Sequence, residues 1–279
     1  MPRLRSLAFV VNSDKSGAPD LARELVLLAR RAGVRIKQTS RLTLPAGYLR
    51  GWDACCVIGG DGTLLGVARE AARSRVPIIG VNRGGLGFLT TFSPDEARMQ
   101  FPELLRGAFR LDRRTLLKCS IGGGRDELAL NDVLVKAAKN SQLIRLEVVA
   151  DGQLVTDYVC DGLIFSTPTG STAYNLSAGG PIVHPAARVI AMTPICPHTL
   201  SNRSIIFRDN VQLRVWNRSP GARLLVAIDG QRNLGVYSGA PVRISIAREQ
   251  VLLVQHLGYA HFSVVRAKLK WSGGLADKR

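Results

Sequence analysis

Ala54-Cys55-Cys56-Val57-Ile58-Gly59-Gly60-Asp61-Gly62-Thr63-Leu64 sets an apolar run against a glycine-aspartate bend. Short apolar runs bounded by turn residues read as buried strands. A helix is expected to follow from about Leu64 to Ala72, and then a strand, Ile78 to Val81. Working back towards the N-terminus, Leu7 to Val11 is another short apolar run. Leu21, Leu25, Leu28, Ala29 and Ala32 fall at helical spacing with Gly33 as a stop, and Val34-Arg35-Ile36 opens a further strand. Pro94 to Arg106 reads as a helix, with Gly107 near its end. Strands alternating with helices predict a parallel α/β sheet.

Beyond about residue 112 the pattern changes. Leu116–Ile121, Leu130–Val135, Leu143–Ala150, Leu154–Val159 and Leu163–Ser166 are closely spaced strand-like runs, with Gly122-Gly123-Gly124 and Asp151-Gly152 as turns. Val211–Trp216, Leu224–Ile228, Val242–Ile246 and Val251–Leu253 continue the series. So many short strands predict a β-sandwich. The expected division is therefore an α/β domain over 1–111 and a β-rich domain over 112–261. A basic tail, 262–279, has no clear periodicity and is free to pack back on the first domain.

Hydrophobic residues at 46% and charged residues at 21% are ordinary globular usage, so a packed core is expected. The run Leu7–Val11 is too short for a signal-peptide core or a membrane span, and no other stretch comes near 18 apolar residues. A cytoplasmic protein without membrane contact is the expectation. The five cysteines form no Cys-x-x-Cys pair and the four histidines no ligand spacing, so neither a disulfide framework nor a protein-held metal site is expected. The formal net charge of +17 draws polyanions, but the basic residues are scattered singly or in pairs. A solvated basic surface accounts for that distribution most simply, attraction of phosphate-rich substrates comes next, and dedicated nucleic-acid binding fits it least.

The chemistry lies in glycine loops and a hydroxyl-rich segment. Neither a G-x-x-x-x-G-K-[ST] phosphate loop nor a G-x-G-x-x-G fingerprint is present, which removes support for an ordinary dinucleotide dehydrogenase. Gly59-Gly60-Asp61-Gly62-Thr63 instead ends a strand, where open α/β sheets bind ligands. Glycines there let the backbone approach phosphate closely, and Asp61 could accept the proton of an attacking hydroxyl or help hold a metal. Gly84-Gly85-Leu86-Gly87-Phe88-Leu89 follows the next strand, and Phe88 could pack on an adenine face. Asn131-Asp132 puts an amide beside a carboxylate, a match for a sugar diol. The longest signal, Thr167-Pro168-Thr169-Gly170-Ser171-Thr172-Ala173-Tyr174-Asn175-Leu176-Ser177-Ala178-Gly179-Gly180-Pro181, is introduced by Asp161-Gly162. Its hydroxyls at Thr169, Ser171 and Thr172 can meet a phosphate or a base edge, and Tyr174 can stack on a flat heterocycle. A lipid or sugar kinase accounts for the glycine loop but not for the Tyr174 segment. A nucleic-acid-binding protein accounts for the charge but not for the glycine motifs.

Together these three motifs, in this order and approximate spacing, resemble the signatures of the bacterial-type NAD kinase family. Thr193-Pro194-Ile195-Cys196-Pro197-His198-Thr199-Leu200 and Ile228-Asp229-Gly230-Gln231 resemble its bacterial branch, and the likeness runs to about residue 260. The resemblance implies a Rossmann-like N-terminal α/β domain of the NAD/diacylglycerol-kinase type and a C-terminal β-sandwich. It implies a homo-oligomer, dimer or tetramer, that uses ATP with Mg²⁺ or another divalent cation to phosphorylate the adenosine ribose 2′-hydroxyl of NAD, with polyphosphate open as a second donor. Asp61 would be catalytic. Gly59, Gly60, Gly62, Thr63, Phe88, Asn131, Asp132, Asp161, Thr169, Thr172, Ala173, Tyr174, Ser177 and Gln231 would bind the nucleotides. The second motif usually reads Asn-Glu, so Asp132 is one methylene shorter than the family pattern, and its reach into the site is altered.

Overall fold

The computed structural model describes residues 2–85, 87–139, 143–199, 201–236 and 239–271. They divide into two units, Met1–Arg113 with Val251–Arg279, and Arg114–Gln250.

The first unit alternates β1 (Ser6–Val11), α1 (Ala18–Arg31), β2 (Arg35–Thr39), β3 (Ala54–Gly59), α2 (Asp61–Ser74), β4 (Ile78–Asn82) and α3 (Pro94–Leu105). Its strands form a parallel sheet in the order β2-β1-β3-β4, and the end of β16 (Val242–Gln255) joins β4 through Leu253 and Ile78. Every residue of β1, β3 and β4 is buried, as strands covered on both faces require. One face packs Phe9, Ile58 and Val81 against Leu21 and Leu25 of α1 and Phe101 of α3. On the other face α2 presses so closely that a Cβ on Gly80 would stand 3.1 Å from Leu64 Cδ1. The start of α3 follows from its sequence: the Ser93 hydroxyl accepts the Glu96 amide at 3.2 Å, and the Glu96 carboxylate accepts the Ser93 amide at 2.8 Å. The helix after the glycine-aspartate bend begins at Asp61, three residues before the sequence expectation, so three of the motif's residues, Asp61, Gly62 and Thr63, are in its first turn.

The second unit is built of strands, as expected. β12 (Ile205–Arg208), β11 (Val189–Ile195), β10 (Gly162–Ser166), β7 (Asp132–Ala137), β14 (Leu224–Ile228) and β15 (Arg232–Val236) lie in that order in an antiparallel sheet. The second layer pairs the first part of β16 with β13 (Leu213–Asn217), then β8 (Ile144–Ala150) and β9 (Gln153–Cys160), all antiparallel. β5 (Arg110–Ile121) pairs with β6 (Glu127–Ala129) beside them. Val133, Val135, Phe165, Met192 and Val226 of the first layer share one core with Leu146, Val148, Leu213, Val215 and Ile244 of the second, which makes the unit a β-sandwich. Val242–Ile246 and Val251–Leu253, read as two strands from sequence, are parts of the single strand β16. The division at Gln250/Val251 falls within it, earlier than the expected boundary at 261.

Four cysteines, Cys55, Cys56, Cys119 and Cys160, are buried free thiols, and burial pushes Cys55 up to about 12. They are inert core residues. No helix among the described residues is long and apolar enough to cross a membrane.

Candidate active site

In the first unit the glycine-aspartate bend joins the carboxyl end of β3 to the amino end of α2, with Gly60 as the N-cap and Asp61 as the first helical residue. Helix amino termini favour anions, through the macrodipole and the amides of the first turn. The glycines fall into two kinds. A Cβ on Gly59 would lie 2.5 Å from Thr63 Oγ1, and one on Gly87 would lie 2.2 Å from Asp61 Oδ1, so the protein itself requires glycine at both positions. Gly60 and Gly62 differ. A Cβ on either meets nothing within 4 Å, and neither has a positive φ. No steric demand of the fold explains them, and the open space they leave lies beside Asp61.

The second glycine loop wraps the Asp61 carboxylate. The amides of Phe88, Leu89 and Thr90 donate to it at 2.8, 3.1 and 2.9 Å, and the Thr90 hydroxyl donates to Oδ1 at 2.9 Å. Behind it, the buried Asn82 side chain donates to Thr90 Oγ1 at 2.7 Å. Among the described residues, three of the four bonds end on Oδ1, and only the Phe88 amide reaches Oδ2. A carboxylate oxygen accepts about two hydrogen bonds comfortably. Oδ2 therefore keeps one acceptor position, while Oδ1 is fully engaged. Thr63 is buried, and its hydroxyl accepts from Asn12 at 3.1 Å, so it holds β1's end to the bend. Leu86, in the middle of the second loop, lies outside the described residues.

In the second unit, Asn131, Asp132, Ala173 and Tyr174 converge on one pocket of about 230 Å³, together with Leu134, Ala227, Asp229 and Gly230. The Thr167–Pro181 segment forms a single 3-10 turn, Gly170–Thr172, and a short helix α4 (Tyr174–Ser177). Most of its hydroxyls hold the segment's own shape. The Thr167 hydroxyl donates to the Leu130 carbonyl at 2.6 Å, and Gly170 N–H donates back to Thr167 Oγ1 at 3.0 Å. Ser171 is fully buried and donates to the Pro168 carbonyl at 2.7 Å, so it is not the ligand-facing hydroxyl expected from sequence. Thr169 is likewise buried, whereas Thr172 is half-buried and Ser177 exposed. Tyr174 stands 47% exposed, with its ring available for stacking. Asn175 is fully buried and ties the segment to Ser171, Pro181 and Thr193.

Asp161 and Gln231 do not line this pocket. Asp161 is exposed at the start of β10, at the far end of that strand from the Ser166–Asp132 pair. Gln231 is exposed just beyond Gly230.

Two functional residues escape a reading of single motifs. Asp229 sits at φ +52° and accepts the amides of Leu130, Asn131 and Asp132 at 2.9, 2.7 and 3.1 Å. It is the staple that holds the Asn-Asp pair in place. Its sequence signal was the Ile228-Asp229-Gly230-Gln231 stretch, which gives no hint that the carboxylate holds Asn131 and Asp132. Thr90 is the other, the hydroxyl that completes the Asp61 shell. Burial pushes the Asp132 carboxyl up to about 7, and the charge of Asp229 adds to the rise. Asp229 is raised by burial too, against the pull of its three amide donors. No three His, Cys, Asp or Glu side chains gather as a metal cage among the described residues.

Known proteins match this arrangement along the whole chain. The family model described as the ATP-NAD kinase N-terminal domain matches residues 43–109, and that described as the ATP-NAD kinase C-terminal domain matches residues 130–256. An NAD kinase of Pseudomonas fluorescens is 36% identical, with 99% of this chain and 98% of that protein covered. One of Moorella thermoacetica is 35% identical over 98% of this chain and 92% of its own length. Among solved structures, an NAD kinase from Archaeoglobus fulgidus in complex with ATP superposes with a TM-score of 0.81 at 25% identity, covering 96% of this chain and all of that one. Yeast NADH kinase complexed with NADH shares the fold, with a TM-score of 0.86 at 23% identity over 100% of this chain and 91% of that one. Full-length relatives at this identity, joined to matches in both halves, establish that the chain belongs to the NAD kinase family and is a phosphotransferase that makes NADP from NAD and ATP.

Proposed function

We propose that the chain transfers the γ-phosphoryl group of ATP to the 2′-hydroxyl of the adenosine ribose of NAD, with Asp61 as the base. The observation that carries this reading is the single acceptor position left on Asp61 Oδ2 by its four protein hydrogen bonds. A hydroxyl donating there is aligned and made more nucleophilic as its oxygen attacks phosphorus. The proton passes to Oδ2 as the P–O bond to ADP breaks. The rest is positioning. Gly60 and Gly62 leave room for phosphate at the start of α2, and the macrodipole favours the charge there. Asn131 and Asp132 hold ribose hydroxyls, with Tyr174 and Ala173 against a ring. Thr169, Thr172, Ser177, Asp161 and Gln231 are the further nucleotide contacts of this reading, and Phe88 packs on adenine. Mg²⁺ would come with the ATP phosphates and, when bound, would neutralise phosphate charge. Incubation with NAD, ATP and Mg²⁺ and assay for NADP tests the reading, with polyphosphate in a parallel arm. No NADP from either donor overturns it. Light scattering tests the homo-oligomer that we also propose, and cell fractionation tests its cytoplasmic location.

Two outcomes follow from the site's details. Only the ionised Asp132 carboxylate offers both oxygens as acceptors to a sugar diol. With the carboxyl raised to about 7, kcat/KM for NAD should fall as the pH drops below about 7. Asp132→Asn should abolish that limb of the profile; a limb that survives unchanged in Asp132→Asn removes Asp132 from the role. Replacing an exposed helix glycine by alanine normally stabilises by about 0.5–1 kcal/mol, so Gly62→Ala should melt no lower than the parent. Its added methyl enters the phosphate space, and the KM for ATP should rise about tenfold. An unchanged KM would show that the open space is not used.

A further inference from the structure

The basic C-terminal tail has no role in the motifs, yet part of it reaches the second glycine loop. Within the first unit, α5 (His261–Leu269) carries Lys268, whose Nζ stands 5.6 Å from the centroid of the Phe88 ring. Phe88 is the residue whose amide bonds Asp61 Oδ2 at 2.8 Å. The residue whose backbone amide binds the Asp61 oxygen with a position to spare thus carries, on its side chain, an ammonium from α5. Lys268 is solvent-exposed and has no carboxylate partner among the described residues. The glycine-aspartate motif contains no lysine, and Arg83, in the second loop, is turned away to donate to the Ser16 carbonyl at 3.0 and 2.6 Å. Phosphoryl transfer spreads negative charge over the phosphate oxygens, and a lysine ammonium is a common point charge for it.

We propose that Lys268 is a phosphate-binding residue of the Asp61 site, its ammonium meeting the phosphate oxygens of a bound nucleotide. This rests on the kinase reading above. Two nucleotides bring that chemistry, ATP with its triphosphate and NAD with its pyrophosphate, and separate KM values distinguish them. The informative variants are Lys268→Met, which keeps an apolar stem on the Phe88 ring and removes the charge, and Lys268→Arg, which restores it. In the full-length enzyme, Lys268→Met should raise the KM for one of the two nucleotides about tenfold and leave the other within about twofold. Its melting temperature should stay near the parent's. Lys268→Arg should recover most of the loss. The raised KM should also depend less on salt than the parent's, because one screened attraction is gone. If Lys268→Met keeps both KM values, or lowers only kcat and melting temperature, the residue is structural and the proposal falls. An unsubstituted enzyme that makes no NADP from ATP or polyphosphate fails at the earlier step, the kinase reading itself.

Discussion

Asp61→Asn is expected to lower kcat about a thousandfold while NAD still binds. The size follows from what general-base groups contribute, about 10²–10⁴ in rate. The structure also says which part of the loss belongs to chemistry. The substituted amide can keep its oxygen in the Oδ1 position, where the amides of Leu89 and Thr90 and the Thr90 hydroxyl all donate, so most of the second glycine loop keeps its anchor. The amide nitrogen then takes the Oδ2 position. There it faces the Phe88 N–H, donor against donor, and offers no lone pair to a sugar hydroxyl. The opposed donors cost about 1–3 kcal/mol of local stability, an effect confined to Phe88's end of the loop. Calorimetric titration with NAD should give a dissociation constant within about threefold of the parent's, because Asn131, Asp132 and Tyr174 are untouched. Turnover near the parent rate in the purified variant would refute the base role, and loss of NAD binding would make Asp61 a binding residue instead.

Much of the architecture was legible because burial on both faces leaves a plain mark. Val57 and Ile58 or Phe9 and Val10 need no alternation when helices cover the whole sheet, and such runs stand out. The elements that went unread are those whose environment differs along or across the strand. β15 is an edge strand reading Arg-Asn-Leu-Gly-Val, with only its alternate residues half-buried. β11 contains Pro194, which normally argues against a strand inside a sheet. β16 looked like two strands because Arg248-Glu249-Gln250 interrupts it, yet these residues are simply exposed along a continuous element. At the site the contrast is similar. Asp61 and Tyr174 lie in compact motifs and could be nominated directly. Asp229 acts on Asn131 from 98 residues away, and Lys268 on Phe88 from the far end of the chain. Neither partnership leaves a local pattern, since pairing across such separations exists only once the chain has folded. Ser171 shows the reverse error. By its sequence a hydroxyl in such a segment can meet a ligand, but here the backbone of a tight turn has the prior claim on it.

Gly170→Ala should be the most damaging single methyl that can be added to the second unit. A Cβ at that position would fall 2.0 Å from the Asn131 carbonyl oxygen and 2.6 Å from Asn131 Cα. These are backbone atoms, so no rotamer change relieves the clash. The same carbonyl accepts the Thr167 amide at 2.9 Å, and Asn131's own amide is fixed on Asp229 at 2.7 Å. Moving it therefore disturbs two anchors of the 130–132 segment at once. Overpacking of this kind costs about 1–3 kcal/mol, and the upper end applies because the obstructing atoms belong to hydrogen-bonded backbone. For a chain of this length the melting temperature should fall by roughly 4–10 °C. The displacement also carries Asn131 and Asp132 out of register with Tyr174 across their shared pocket, so the KM for NAD should rise at least about tenfold while that for ATP changes little. Gly235→Ala on β15 is the matched control. Its Cβ meets nothing within 4 Å and its φ is not positive, so it should behave as the parent in both measurements. A Gly170→Ala enzyme with parental melting temperature and parental KM for NAD would mean that the Thr167–Pro181 segment does not press on the Asn131-Asp132 pair, and the account of how this unit holds its nucleotide would have to be rebuilt without that contact.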